Sequence, residues 1–284
     1  MRTIAHIVKP VKVDQQSDLY TAQPITFESM RAAKAFAKGR VNVDLFTTQF
    51  EEDSEAVPQD FSVTQNVERS IHSLCDLKKR RKVPVMQDVL DRLYHASDAE
   101  FMVYTNADIA LMPYFYVAIN QYVEDGADAL IINRRAIPAT YRRVEDLPLM
   151  YGELGTHLKG FAIYVFRRAA YPKFKLANSC LGVTPVGKLL AFNVIWHAQN
   201  PCELLDANLT FHIGEEKPWS NDDFADHVEF NLGECLTALA EHRLAYGNFY
   251  NKPEAYKFVR RIVKKRQFDF ATSLENVLEK SRVA

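Results

Sequence analysis

A continuous apolar run, Glu100-Phe101-Met102-Val103-Tyr104-Thr105, ends in Asn106-Ala107-Asp108. Such a run reads as a strand buried on both faces. A carboxylate at its end is costly unless it faces a metal, a cation or a polar ligand, which makes Asp108 the first candidate functional residue. A second role is open to it, as N-cap of a helix over Leu111 to Val123, because Asp is favoured at caps. Ligands of parallel sheets sit beyond the carboxyl ends of the strands, so Lys9, Gln49, Arg69 and Asn106, each close behind a predicted strand, join the candidates.

Several chemistries lack local support. There is no glycine before Gly39 and hence no G-x-G-x-x-G after the first strand, which argues against a dinucleotide-binding oxidoreductase. Gly182-Val183-Thr184-Pro185-Val186-Gly187-Lys188 meets the glycine and lysine spacing of a P-loop, but Leu189 stands where a Mg²⁺-binding hydroxyl belongs. The plain reading is a loop that leads into a helix. Neither G-x-S-x-G nor H-E-x-x-H occurs, so a nucleophile-elbow hydrolase and a zincin are unsupported as well.

The elements that must position these residues alternate. Thr3 to Val8 reads as a strand, Thr26 to Ala37 as a helix ended by Gly39, and Val41 to Phe46 as a second strand. An acidic loop, Glu51 to Glu55, and a short strand near Phe61 to Val67 follow. A helix opened by Pro84 leads to the apolar strand that ends at Asn106. Ala127 to Asn133 and Gly160 to Phe166 are further strands, separated by a polar stretch from Arg134 to His157 of the kind that carries function more often than mere connection. A helix from Thr184 to His197 precedes a strand from Cys202 through His212. From Asn221 the pattern is helical, with amphipathic segments Glu254 to Arg266 and Thr272 to Lys280. Alternating strands and helices predict an α/β fold with a mainly parallel sheet.

Composition sets outer bounds. With 35 Lys+Arg against 36 Asp+Glu there is no charge excess to suggest nucleic acid or an anionic membrane as partner. A hydrophobic content of 48% supports a full core and excludes a disordered chain. The four cysteines, Cys75, Cys180, Cys202 and Cys235, form no C-x-x-C pair. No secretory signal or membrane span is legible, so the expectation is a cytoplasmic protein with free thiols.

The order strand, helix, strand, acidic loop, strand, helix, apolar strand, Asn106-Ala107-Asp108 resembles the nucleotide-sugar domain of GT-A glycosyltransferases. In that family a D-x-D motif ends the central strand, its last carboxylate ligates Mn²⁺ or Mg²⁺ on the donor diphosphate, and a histidine from a later strand often completes the site. Asp108 matches the last position of the motif, while Asn106 stands in place of its first acid. His212, in Phe211-His212-Ile213-Gly214, is similar to the later ligand. The stretch Gly152 to Arg168 resembles the acceptor-side loop and strand of such transferases.

The resemblance implies a GT-A-like α/β domain over residues 1–220 and a C-terminal helical extension over 221–284. It implies a glycosyltransferase that moves a sugar from a nucleoside-diphosphate donor to a hydroxyl acceptor such as a glycan, with Asp108 and His212 holding Mn²⁺ or Mg²⁺. Glu153 would take the acceptor proton in an inverting transfer. Asn106, Lys9 and Arg69 would contact the donor, His157 and Lys159 sugar hydroxyls or phosphate oxygens, and Trp219 a sugar or base. Two other readings share the fold: a noncatalytic binding or scaffold protein, in keeping with Asn106, and a sugar nucleotidyltransferase, which wants glycine and arginine where this chain has Lys9-Pro10-Val11-Lys12-Val13.

Overall fold

The computed structural model describes residues 1–79, 81–214 and 224–263, and of Lys159 the backbone alone. The elements run β1 (Arg2–Val8), α1 (Asp18–Ala37), β2 (Val41–Thr47), β3 (Ser62–Val63), α2 (Met86–Ala96), β4 (Phe101–Thr105), β5 (Ala110–Leu111), α3 (Phe115–Glu124), β6 (Ala129–Ile137), α4 (Leu147–Gly152), β7 (Thr156–Arg167), α5 (Val186–His197), β8 (Pro201–Leu204), β9 (Thr210–Ile213), α6 (Ala225–Tyr246) and α7 (Pro253–Val263).

The described strands form one sheet in the order β3-β2-β1-β4-β7-β6-β9-β5, with β8 also paired to β6. The α/β class expected from the sequence is observed, and β3, β2, β1 and β4 are mutually parallel. β7 departs from the alternation, because it runs antiparallel to both β4 and β6. Two reversals cancel, so β6 points the same way as β4, and β9, parallel to β6, does too. The carboxyl ends of β1, β4, β6 and β9 therefore open at one end of the sheet, where ligands of such sheets bind.

The apolar runs supply the core. Ile4, Val8, Phe101, Val103, Leu130, Ile132, Ile163 and Val165 pack with Phe27, Met30 and Ala33 of α1 and with Phe115, Tyr116 and Ile119 of α3. Burying each such side chain stabilises by roughly 1.5–3 kcal/mol relative to exposure. Tyr116 of this core also shares a buried hydrogen bond of 2.8 Å with His6.

Several boundaries differ from the sequence expectation. α1 begins at Asp18, ahead of Pro24, which lies inside the helix. Beside that proline the Gln23 carboxamide accepts from the Val11 amide and donates to its carbonyl, both at 2.7 Å, so it fixes the loop after β1. α3 begins at Phe115 with Tyr114 at its N-cap, so Asp108 does not cap it, and Ala110–Leu111 is a strand instead. β6 continues through Arg134 and Arg135 to Ile137, where the sequence suggests a loop. The strand expected from Cys202 through His212 is two strands, β8 and β9, parted by a turn at Asn208, whose φ is +51°.

The chain divides into two compact units. The first holds Met1–Glu68, Val89–Tyr171 and the segment from Ala198 through β9, and with them every described strand. The second gathers Arg69–Asp88, Pro172–His197 and the described residues from 224 onward. Two stretches that precede them in sequence thus cluster with the C-terminal helices. Within this unit Ile71, Val83, Val85, Cys180 and Val183 form a small core, and the Asn231 carboxamide accepts from the Cys180 amide at 2.5 Å. All four cysteines are free thiols.

Candidate functional site

β5 and β9 bring Asp108 and His212 together. The antiparallel pairs Leu111 with Thr210 and Ala110 with Phe211 run on in the same sense toward Asp108 and His212. The result is a contact of 3.3 Å between His212 Nε2 and Asp108 Oδ2, with side-chain exposures of 13% and 31%. The imidazole is oriented from its other side: Nδ1 lies 2.9 Å from the Gly214 carbonyl. A carbonyl only accepts, so Nδ1 carries the proton.

That tautomer leaves Nε2 of neutral His212 with a lone pair turned toward a carboxylate. Two acceptors face one another at this distance stably only when a cation, either a proton or a metal, lies between or beside them. Without a metal, a proton held between the two favours the charged forms of both partners. Burial pulls the His212 pKa down, but hydrogen bonding to Asp108 and its negative charge outweigh this and hold it above the ordinary histidine range. Burial pushes Asp108 up, and His212, with help from the charge of Arg134, brings it below the ordinary carboxylate range. Asp108 Oδ1 is buried and has no hydrogen-bond partner among the described residues.

A carboxylate and a neutral imidazole held by a backbone carbonyl suit a divalent ion such as Mn²⁺. Among the described residues no third His, Cys, Asp or Glu joins them. Such an ion would therefore need oxygens from ligand and water, as hard cations on diphosphates normally do.

The other residues singled out from sequence fall in different settings. The Asn106 Oδ1 accepts from the Tyr104 hydroxyl at 2.6 Å, which leaves its Nδ2 to donate. Lys9 follows β1, alongside Asn106 in the β1–β4 register, and its Nζ pairs with Asp53 Oδ2 at 2.5 Å while lying 4.8 Å from the Phe50 ring centre. Asp53 also accepts from the Lys12 amide at 2.9 Å, so this pair stitches the loop after β1 to the helical turn after β2. Arg69 belongs to the second unit, where its Nε donates to Asp88 at 3.0 Å and its Nη1 to Asn178 at 3.1 Å. His157 is exposed on β7, opposite Arg135. Lys159 lies on β7, its side chain outside what is described, and Trp219 lies outside the described residues altogether.

Glu153 sits in the bend between α4 and β7. Its Oε1 accepts from the Tyr141 hydroxyl at 2.5 Å, and its backbone carbonyl accepts from Arg135 Nε at 3.1 Å. Gly155, two residues on, has φ +60° and stands so close to β6 that a Cβ would meet the Ala136 carbonyl oxygen at 2.3 Å. Ala136 pairs with Thr156 on one side and His212 on the other. Adjacent strands lie about 4.8 Å apart, so roughly 10 Å of sheet separates the backbone at His212 from the start of β7.

Sequence reasoning passed over Arg134, Tyr141 and Tyr104. Tyr104 was inside the recognised strand, two residues before Asn106, and that spacing on one face was the available signal. Tyr141 had none, because a loop residue carries no periodicity.

No protein-family model and no curated protein matches this chain. Solved structures do. Residues 1–349 of TarS from S. aureus, in complex with UDP-GlcNAc, are similar with TM-score 0.47 and 9% identity over 93% of this chain and 81% of that one. Glucosyl-3-phosphoglycerate synthase from Mycobacterium tuberculosis, in complex with Mn²⁺, UDP and phosphoglyceric acid, is similar with TM-score 0.47 and 16% identity over 85% and 78%. Among the described residues no helix is long and apolar enough to cross a membrane.

Proposed function

We propose that this protein is a glycosyltransferase that moves a sugar from a nucleoside-diphosphate donor to a hydroxyl acceptor. The observation that carries the reading is the Asp108–His212 pair, placed where the parallel strands end and oriented by Gly214. Asp108 and His212 would hold Mn²⁺ or Mg²⁺, which when bound neutralises the diphosphate and stabilises it as leaving group.

The chain's own residues supply the rest. Asn106 presents an amide donor to the donor substrate, since its oxygen is already taken by Tyr104. Glu153 is the acceptor-side carboxylate, and in an inverting transfer it takes the proton of the attacking hydroxyl. Tyr141 keeps one of its oxygens in place and leaves the other to the substrate. The buried Lys9–Asp53 pair holds the loops that follow β1 and β2 in fixed positions, as a nucleotide pocket at that end of the sheet requires.

A thermal-shift panel of UDP, GDP, CDP and CMP, with and without Mn²⁺, tests the reading, because a ligand of the folded state raises the melting temperature according to its affinity. At least one diphosphate should raise it, more so with Mn²⁺, and Asp108→Ala should remove the Mn²⁺-dependent part. A flat response to every nucleotide rejects the transferase. Binding without turnover of any sugar nucleotide favours the noncatalytic alternative.

A further inference from the structure

The β6 strand does not pair regularly with β7. Its register slips between Ile132 and Asn133 and again between Asn133 and Arg135, so Arg134 lies at a bulge. Bulges re-aim side chains, and here the neighbours tell where this one goes. The Nη1 of Arg134 lies across β7 at Gly160, 3.8 Å from where a Cβ on that glycine would stand. Its positive charge acts on Asp108, on His212 and on Tyr164. Two residues further along the strand, Ala136 pairs directly with His212.

Arg135, the next residue, shows what a structural arginine looks like in this strand. It is 3% exposed, and its three nitrogens reach the Glu153 carbonyl, the Asn208 carbonyl and the Met112 sulfur. Arg134 has no such set. Its Nε is buried and without a hydrogen-bond partner among the described residues. A buried guanidinium donor left unmatched costs free energy unless an acceptor arrives with a ligand. With Asn106 where a second acid would sit, Asp108 is the one carboxylate of the Asn106–Asp108 turn, and it is already engaged by His212.

We infer that Arg134 is a second cationic contact for the donor diphosphate, which binds the phosphate lost with the leaving group. The assignment rests on the transferase reading given above. The planar, permanently charged fork of arginine fits two phosphate oxygens, and a donor already present in the folded protein needs no rearrangement as negative charge builds on the leaving oxygen. Arg134 thereby acts on the diphosphate itself, independently of whether a metal is bound.

Calorimetric titration with UDP and UMP, or the corresponding pair for whichever base the protein prefers, separates the possibilities. Arg134→Gln should weaken the diphosphate by about tenfold or more and the monophosphate by less than about twofold. The loss should persist in EDTA, because the guanidinium is not a metal ligand, and Arg134→Lys should recover part of it. Melting temperatures of the unliganded variants serve as the control for folding. If wild type binds no nucleoside diphosphate, the transferase reading fails and takes this assignment with it. If wild type binds one and Arg134→Gln binds it equally well, or loses diphosphate and monophosphate alike, the assignment alone is overturned.

Discussion

The Tyr141 hydroxyl donates to Glu153 Oε1 across 2.5 Å, tying the loop before α4 to the bend after it. Hydrogen bonding to this carboxylate, followed by burial, raises the tyrosine pKa above its usual value, as expected when a phenol must keep its proton beside a negative charge. The contact restrains one carboxylate oxygen of Glu153, the residue proposed above as acceptor-side base. Glu153→Gln should spare nucleotide binding and abolish turnover. Tyr141→Phe should leave binding intact and reduce kcat by roughly tenfold, the scale of one hydrogen bond to a charged group. Steady-state kinetics on the two variants checks this, and full activity in Glu153→Gln removes the residue from the mechanism.

Gly155 allows that bend to exist. Its φ of +60° is strained for any side chain, and the Ala136 carbonyl leaves no room for one. Gly155→Ala should cost about 2 kcal/mol or more from backbone strain and overlap together. For a chain of this size that is a fall in melting temperature of roughly 5 °C. Because Ala136 also pairs with His212, the same substitution should weaken Mn²⁺-dependent nucleotide binding, whereas Gly152→Ala, where a Cβ meets nothing within 4 Å, should change neither.

The second unit carries an acid liability. His242 is fully buried among Phe192, Trp196, His197 and Tyr246, and neither ring nitrogen finds a hydrogen-bond partner among the described residues. Burial depresses its pKa to about 3, and His6 in the sheet is likewise brought to about 3. The folded protein thus resists protons that the unfolded chain accepts near pH 6.5. The stability these neutral imidazoles preserve is complete above that pH and declines as pH falls toward 3. Each should cost about 2 kcal/mol at pH 5. His242→Leu removes one proton acceptor and an unmatched polar ring, so the melting temperature should rise, and rise more at pH 5 than at pH 8. An equal gain at both pH values would show that packing alone is responsible.

How far the sequence revealed this arrangement differs between elements. β1 and β4 were legible because buried strands are written as apolar runs, and β2 because its apolar and polar residues alternate. The reversal of β7 was not, since the same apolar pattern serves a strand of either direction. The end of β6 was hidden by Arg134-Arg135, which looks like loop, whereas Arg135 is buried by matching its donors to carbonyls from distant segments. At the site, Asp108 was visible as a carboxylate ending an apolar run. Its nearness to His212 depends on two residues of β5 pairing with β9, too short a strand for periodicity to reveal. Lys9 shows the converse: its place after β1 suggested a nucleotide contact, but nothing local signalled Asp53 as its partner.

The Lys9–Asp53 pair therefore separates scaffold from ligand contact. With exposures of 5% and 7% it is well shielded from water, and the Phe50 ring lies against the ammonium. Removing one member of a buried pair strands the other charge, which typically costs 3–5 kcal/mol, while replacing both by apolar residues of similar volume is often close to neutral. Lys9→Met and Asp53→Leu should each lower the melting temperature markedly, and the double variant should regain most of the loss. Asp53→Leu should be the worse of the two, because Asp53 also accepts from the Lys12 amide. If the pair only holds the loops, the recovered double variant should bind the preferred nucleoside diphosphate nearly as wild type does. If Lys9 itself meets the nucleotide, stability will return in the double variant while affinity stays low, and one melting curve with one titration distinguishes the two roles.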